Sequence, residues 1–388
     1  MDFDRIVDRR GTHCRKWDSM QDRYGVSPDD GIPMWIADMD FAAPDCVRRA
    51  LQRMVDHGVH GYFGDDAAYL RAIRWWQATR HGLDIPPEAI FTTHGLVNGA
   101  ALAIHTWTRP GDGVVLFTPV YHVFAQVIRA AGREVVECPL RLEDGRHVMD
   151  LGARDLPANA RMVLFCSPHN PGGRVWSVEE QRALADWAVR HDLVVVSDEI
   201  HNDLVMPGHT HVPMAVAAPE LADRLVTMTA TTKTFNIAGA HTGNVIVHDP
   251  ARRAAFARSV TAMGISPNAF GLHMATAACS PEGAEWVDAL VAYLDGNRRL
   301  FDEGMAAIPG VRSMPLEATY LAWVDFSGTG MEPAEVTARV ERQARIAVNH
   351  GPSFGTGGEG WLRFNLATPR VRVAEAVARL QDAFADLQ

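Results

Sequence analysis

With 388 residues, 47% hydrophobic and 22% charged, the chain has enough apolar material for a sizeable core in two or three domains. Its 37 basic and 47 acidic side chains give a net charge of −10, which excludes a nucleic-acid backbone or an anionic membrane surface as partner. Five scattered cysteines, with no C-x-x-C pair, exclude a disulfide scaffold and a cysteine-type zinc site.

The opening MDFDRIVDRRG carries no apolar signal core, and no apolar run reaches membrane-spanning length, so a cytoplasmic protein is expected. Residues 1–45, rich in Asp, Gly and Pro, read as an irregular arm that packs elsewhere and forms part of a small domain. Residues 46–285 read as a large domain. Its buried-strand candidates are Val114–Phe117, Met162–Phe165, Leu193–Val196, Leu225–Met228 and Asn244–Val247, with helices between them. Ser177-Val178-Glu179-Glu180 is a capping box that opens a helix running to about Arg190. Residues 286–388 read as a smaller α+β domain. In it, strands Tyr320–Val324 and Trp361–Phe364 flank a helix near Pro333–Ala344, and a last helix closes the chain. The expected fold class is α/β, with a mainly parallel sheet in the large domain and a small α+β domain beside it.

Ligands of such sheets collect beyond the carboxyl ends of the strands. There, in successive units, stand Asn170 in Pro168-His169-Asn170-Pro171-Gly172-Gly173, Asp198 in Ser197-Asp198-Glu199-Ile200-His201, and Lys233 in Thr231-Thr232-Lys233-Thr234-Phe235. An amide, an acid and an amine at one sheet edge suit a pyridinium cofactor. The carboxylate keeps the ring nitrogen protonated, the amide bonds the phenolic oxygen, and the lysine binds the cofactor covalently.

With these motifs go Pro33-Met34-Trp35-Ile36-Ala37-Asp38-Met39-Asp40-Phe41, His60-Gly61-Tyr62-Phe63, Pro119-Val120-Tyr121-His122 and Lys233-Thr234-Phe235-Asn236-Ile237-Ala238-Gly239. Together they resemble the fold-type I pyridoxal 5'-phosphate (PLP) enzymes of the class I/II aminotransferase family. More narrowly they resemble the MalY/PatB group of cystathionine β-lyases, over nearly the whole chain and in the right order. The resemblance implies the fold-type I PLP-dependent transferase fold and PLP as cofactor. It makes Lys233 the PLP-binding lysine and the base at Cα, Asp198 the partner of the ring nitrogen, and Asn170 that of the phenolic oxygen. Gly95 and Leu96, in Thr93-His94-Gly95-Leu96-Val97, would offer backbone amides to the phosphate at a helix N-terminus. Thr232 would add a hydroxyl. Many relatives carry Pro-Ser before the lysine where this chain has Thr231-Thr232, and an arginine eight residues after it where this chain has His241. One charge-assisted phosphate contact is therefore expected to be missing.

Tyr121 would stack on the ring and guide the leaving group, and His201 would stand near the cofactor. Arg363, with Ala37 and Asn170, would hold the substrate, its guanidinium taking the α-carboxylate. Tyr62 would reach a neighbouring subunit's cofactor in a homodimer; packing under Trp75 and Trp76 is the other reading of that position. The function implied is cleavage of an L-cysteine S-conjugate such as cystathionine to thiol, pyruvate and ammonia. His201 in place of the tyrosine of ordinary aminotransferases supports it, as does the lack of an evident second arginine for a distal carboxylate. A PLP-dependent aminotransferase and a PLP-binding regulatory protein are the alternatives.

Two patterns carry no function. Gly355-x-Gly357-x-x-Gly360 leads into a strand, which does not suit a dinucleotide site. His209-x-His211 lies in a Pro/Gly loop without an acidic or cysteine partner at ligand spacing, so no metal is expected.

Overall fold

The computed structural model describes residues 1–152, 155–266 and 268–387. Two one-turn helices, Arg15–Asp18 and Met20–Tyr24, begin the arm. Strand β1 (Ile32–Pro33) follows, and the chain then crosses to helices Asp45–His57 and Ala67–His81. The central sheet takes β2 (Ile90–Thr93), β3 (Gly113–Leu116) and β4 (Glu134–Glu137). An outlying hairpin, β5 (Arg141–Glu143) and β6 (Arg146–Val148), comes next. The sheet then resumes with β7 (Ala160–Cys166), β8 (Val194–Asp198), β9 (Leu225–Thr229) and β10 (Gly243–Val247).

These seven strands lie in the order β2-β10-β9-β8-β7-β3-β4. All neighbours from β9 to β4 pair in parallel, and β10 runs antiparallel to both β9 and β2. A parallel return needs a crossover, usually a full helix. Between β9 and β10 there is only the one-turn helix Thr231–Thr234 and the turn Ala238–Ala240, so the chain turns back along the same edge. That short return keeps Lys233 at the sheet end.

The strands are buried on both faces because their β-branched runs alternate between two cores. Val114, Met162, Leu164, Val196 and Val245 pack with Leu96, Ala103 and Ile104 of helix Leu96–Trp107. Val115, Val163, Phe165 and Val195 pack instead with Trp176, Leu184 and Ala188. A Cβ on Gly99 would lie 2.7 Å from Val245 Cγ2, so glycine lets helix Leu96–Trp107 sit directly on the sheet. The capping box is present: Ser177 Oγ accepts from Glu180 N (3.1 Å), and Glu180 Oε2 accepts from Ser177 N (2.7 Å).

Helix Pro281–Ala306, capped by Ser280, carries the chain across residue 285 without a break. Beyond it, β11 (Arg312–Ser313), β12 (Leu321–Asp325), β13 (Ile346–Ala347), β14 (Asn349–His350) and β15 (Trp361–Asn365) complete the strands. An antiparallel sheet of order β11-β12-β15-β14 packs with helices Pro281–Ala306 and Arg370–Ala383 through Phe301, Phe326, Phe364 and Phe384. The helix expected over Pro333–Ala344 is α-helical only to Ala338 and ends as a π-turn, Arg339–Gln343. The arm joins this part of the fold: β1 pairs in parallel with β13, and Trp17, Met20 and Trp35 bury against Ala347. Among the described residues no helix is long and apolar enough to cross a membrane.

Candidate active site

Every residue expected at the site except Tyr62 lines one cavity of about 530 Å³ between the sheet end, the arm and β15. Lys233 is half-buried on its one-turn helix and donates from Nζ to the Ala37 carbonyl at 2.6 Å. Burial brings its pKa down to about 8; Arg363 acts in the same direction, and Asp38 and Asp198 oppose it. Thr234, the next residue, donates to Asp203 Oδ2 (2.8 Å). Asp203 also accepts from Trp76 Nε1 (2.9 Å) and lies 2.8 Å from His81 Nε2. This buried carboxylate fixes the lysine's helix, and nothing in the motifs marks it.

Asp198 ends β8 and is buried; its one side-chain hydrogen bond among the described residues comes from Ile200 N at 3.1 Å. Burial raises its pKa to about 7, with Glu199 adding to the effect. Glu199 itself is bound by Ser197 Oγ (2.9 Å), Met214 N (3.0 Å) and His211 (3.1 Å). His211 thus has an acidic neighbour in space, Glu199, which lies twelve residues away in sequence and outside the ligand spacing considered for His209-x-His211. Among the described residues there is no group of three side chains able to hold a metal.

Arg363, on β15, is only 3% exposed. It donates from Nη1 to Asn170 Oδ1 (2.8 Å), and from Nη2 to Trp35 O (3.0 Å) and Asn349 Oδ1 (2.5 Å). Among the described residues it has no carboxylate partner, and its buried Nε has no hydrogen-bond partner. Burial lowers even this guanidinium, to about 10. A buried, unpaired cation with a free donor is costly unless an anion completes it.

Tyr121 packs edge-on to Phe124 and His122, and burial raises its pKa, which keeps it a proton donor. His201 is buried with Nδ1 unpartnered, and burial, then Lys233 and Arg363, lower its pKa to about 3. Its ring is therefore neutral. Gly95, at φ +84°, turns the chain from β2 into the twelve-residue helix Leu96–Trp107, whose first amides border the cavity beside Thr232 and His241.

These features fit PLP. Among the described residues Asp198 is a buried acid without an ion pair, which suits a pyridinium nitrogen, and the Gly95–Leu96 turn opens a helix N-terminus of the kind that suits a phosphate. The glycine pattern at 355–360 leads into β15, as its sequence suggests, and packs on Thr118 and Pro119.

Tyr62 is apart from this group. It is fully exposed, while its neighbours are held: His60 packs on Phe270 and Phe63 edge-on to His273. Packing under Trp75 and Trp76 is thereby excluded. The structure also brings in residues that the motifs did not mark. Arg15, Arg23, His122, Gln126 and Asn349 line the same cavity. Arg15 and Arg23 correct the expectation that Arg363 is the site's only evident arginine. The signal was absent because the arm has neither periodicity nor motif around them.

The model for "Aminotransferase class I and II" matches residues 30–380. The chain is 36% identical to cystathionine beta-lyase PatB of Bacillus subtilis, over 99% of this chain and 100% of that one. It is 32% identical to protein MalY of Escherichia coli, over 98% of each. The crystal structure of cystalysin from Treponema denticola, which contains a pyridoxal 5'-phosphate cofactor, superposes with a TM-score of 0.94 at 34% identity, covering 100% of this chain and 99% of that one.

Proposed function

We propose that this chain, which belongs to the class I and II aminotransferase family and uses PLP, is a carbon–sulfur β-lyase that converts an L-cysteine S-conjugate such as cystathionine to a thiol, pyruvate and ammonia. The observation that carries the reading is Arg363: a buried guanidinium with an unpartnered Nε and no acidic partner among the described residues, in the cavity that also holds Lys233. It makes the cavity a seat for an α-amino acid. Likeness to PatB along the whole chain supports the choice of reaction within the family.

When bound, PLP supplies an electron sink for the charge left at Cα. The chain's own groups do the rest. Asp198 holds the ring nitrogen's proton, while Asn170, its Oδ1 engaged by Arg363, has its amide N–H left for the phenolic oxygen. Arg363 takes the α-carboxylate and fixes which Cα bond faces the ring. Lys233, whose Nζ is partly neutral near pH 8, removes the Cα proton. The Cβ–S bond then breaks with its electron pair on sulfur, and Tyr121 gives its phenolic proton to the departing sulfur. The released 2-aminoacrylate takes up one water to yield pyruvate and ammonia. His201 stays neutral and adds no second cation beside the lysine.

The assembly is a homodimer in this reading, with the exposed Tyr62 reaching the partner's phosphate. The aminotransferase alternative has Arg15 and Arg23 in its favour, since a second carboxylate such as that of glutamate could meet them. The test is incubation of holoenzyme with L-cystathionine and S-alkyl-cysteines, with pyruvate and thiol assayed separately from keto-acid exchange. Equal amounts of pyruvate and thiol are expected. Rapid conversion of the cofactor to its pyridoxamine form by glutamate, without thiol from any conjugate, overturns the lyase reading.

A further inference from the structure

We infer that Arg15 and Arg23 form a distal subsite, and that the preferred substrates are cysteine S-conjugates whose thiol half ends in a carboxylate. The inference rests on the lyase reading for the bond that breaks, but not for the preference in binding.

Three arginines line the cavity, Arg15, Arg23 and Arg363, beside Lys233, the residue that PLP takes, and against one carboxylate, Asp198. In a chain of net charge −10 this is a local reversal of sign. Three of the arm's other cations are neutralised. Arg9 is bridged to Asp38 (2.8 Å) and Asp40 (2.9 Å), Arg10 to Asp8 (2.9 Å), and Lys16 to Asp40 (3.0 Å). Arg15 and Arg23 have no such bridge among the described residues, although Asp18 and Asp22 are near in sequence. Asp18 is instead bound to the backbone amides of Gly11 (2.8 Å) and Cys14 (3.0 Å).

Contacts place Arg23 on the side of the cavity where Arg363 stands, and Arg15 lines the same cavity. The Arg23 guanidinium lies over the Trp35 ring, 5.3 Å from its centroid, and the Trp35 carbonyl accepts from Arg363. Trp35 is anchored in turn by its Nε1 bond to Lys16 O (2.9 Å). Tyr24, beside Arg23, accepts from Asn349 (3.3 Å), whose own oxygen accepts from Arg363. His122, next to Tyr121, reports the same field. Its pKa falls to about 4, first through burial and then through Arg363, Arg23 and Arg15. Among the described residues, neither arginine is hydrogen-bonded to the turn at Gly95 or to Thr232, so the pair remains available to the far end of a substrate held at Arg363.

The test compares S-(2-carboxyethyl)-L-cysteine with its neutral isostere S-(2-carbamoylethyl)-L-cysteine on holoenzyme, in wild type and in the double variant Arg15→Gln, Arg23→Gln. The two thiols differ as leaving groups, so the readout is the change in the ratio of their kcat/KM values between enzymes. The carboxylate-to-amide ratio should fall roughly tenfold in the double variant, mostly through KM for the acid, as loss of a charge-assisted contact requires. In wild type the ratio should also shrink as salt is raised, because exposed charges are screened. A ratio that stays within about twofold in the variant, and does not respond to salt, overturns the subsite. If neither conjugate releases thiol, the lyase reading fails by itself. The subsite is then judged by the binding of 2-aminopimelate and its ω-amide, which have no thiol to lose, followed by the holoenzyme's visible spectrum. The same fall or constancy of their affinity ratio decides.

Discussion

Arg363 donates from Nη1 to Asn170 Oδ1 at 2.8 Å, and so ties the small sheet's β15 to the turn that follows β7 of the large sheet. One bond thus joins the residue proposed for the substrate carboxylate to the residue proposed for the cofactor's phenolic oxygen. Removing either side disturbs both.

Arg363→Gln should retain PLP absorbance while kcat/KM for a cysteine conjugate falls by about a hundredfold or more, since truncating a buried hydrogen-bonded charge costs about 2–5 kcal/mol. Arg363→Lys should restore little, because an ammonium cannot reproduce the planar fork. Steady-state kinetics on both variants checks this. A near-normal KM in either one removes Arg363 from carboxylate binding.

Lys233 should be the residue that PLP modifies. The purified holoenzyme should absorb in the visible region, lose that band on borohydride reduction, and yield a cofactor-bearing peptide containing Lys233 by mass spectrometry. Lys233→Ala should take up PLP weakly and turn over nothing. A label found on any other lysine counts against the assignment.

Asp198 gives a pH dependence of defined sign. Its pKa rises from 3.8 to about 7 in the folded chain, so between those values the folded state binds more protons than the unfolded state. The apo-protein's stability should therefore fall as pH rises from about 4 to 7, by up to about 4 kcal/mol from this group. Asp198→Asn should flatten that slope and leave the apo-protein more stable than wild type at pH 8, while binding PLP more weakly. Denaturant titrations of both apo-proteins at pH 5 and pH 8 measure it. Parallel behaviour of the two would show that Asp198 is not the group responsible.

Tyr62 should act across a subunit boundary. Tyr62→Phe is expected to weaken PLP retention by about 1 kcal/mol, the worth of one hydrogen bond, without altering the monomer's fold. Sedimentation should give a dimer for wild type and variant alike. A fully active monomer at assay concentration contradicts the proposal.

The strands that were legible are those whose chemistry leaves no choice. Val194–Asp198 and Ala160–Cys166 are buried on both faces, so their apolar runs announce themselves, and the polar residues at their ends follow. β2, Ile-Phe-Thr-Thr, and β4, Glu-Val-Val-Glu, carry half-polar edges that periodicity does not separate from loop. The arm was harder for a different reason. Arg9, Lys16, Asp38 and Asp40 make one ion-pair cluster from residues far apart in sequence, and Arg15 and Arg23 acquire meaning only by being left out of it. Such selection by exclusion has no local pattern. Tyr62 was placed by resemblance alone, and its exposure comes only from the fold.

Helix Pro281–Ala306 is an unbroken rod of 26 residues, about 39 Å long at 1.5 Å per residue, with its only proline at the first position. A rod of that kind cannot act as a hinge, so any rocking of the small sheet falls on the other tether, the strand of chain at residues 34–41. That tether is gripped from both sides. Asn365, two residues from Arg363, donates to the carbonyls of Ile36 (2.5 Å) and Asp38 (2.6 Å), while Asn236, three residues from Lys233, holds Met39 and Phe41. Between them sits Ala37, whose carbonyl receives the lysine. Residues 36–41 thus link Asn365, near the arginine proposed for the substrate carboxylate, to Asn236 and Lys233 through one continuous run of hydrogen bonds.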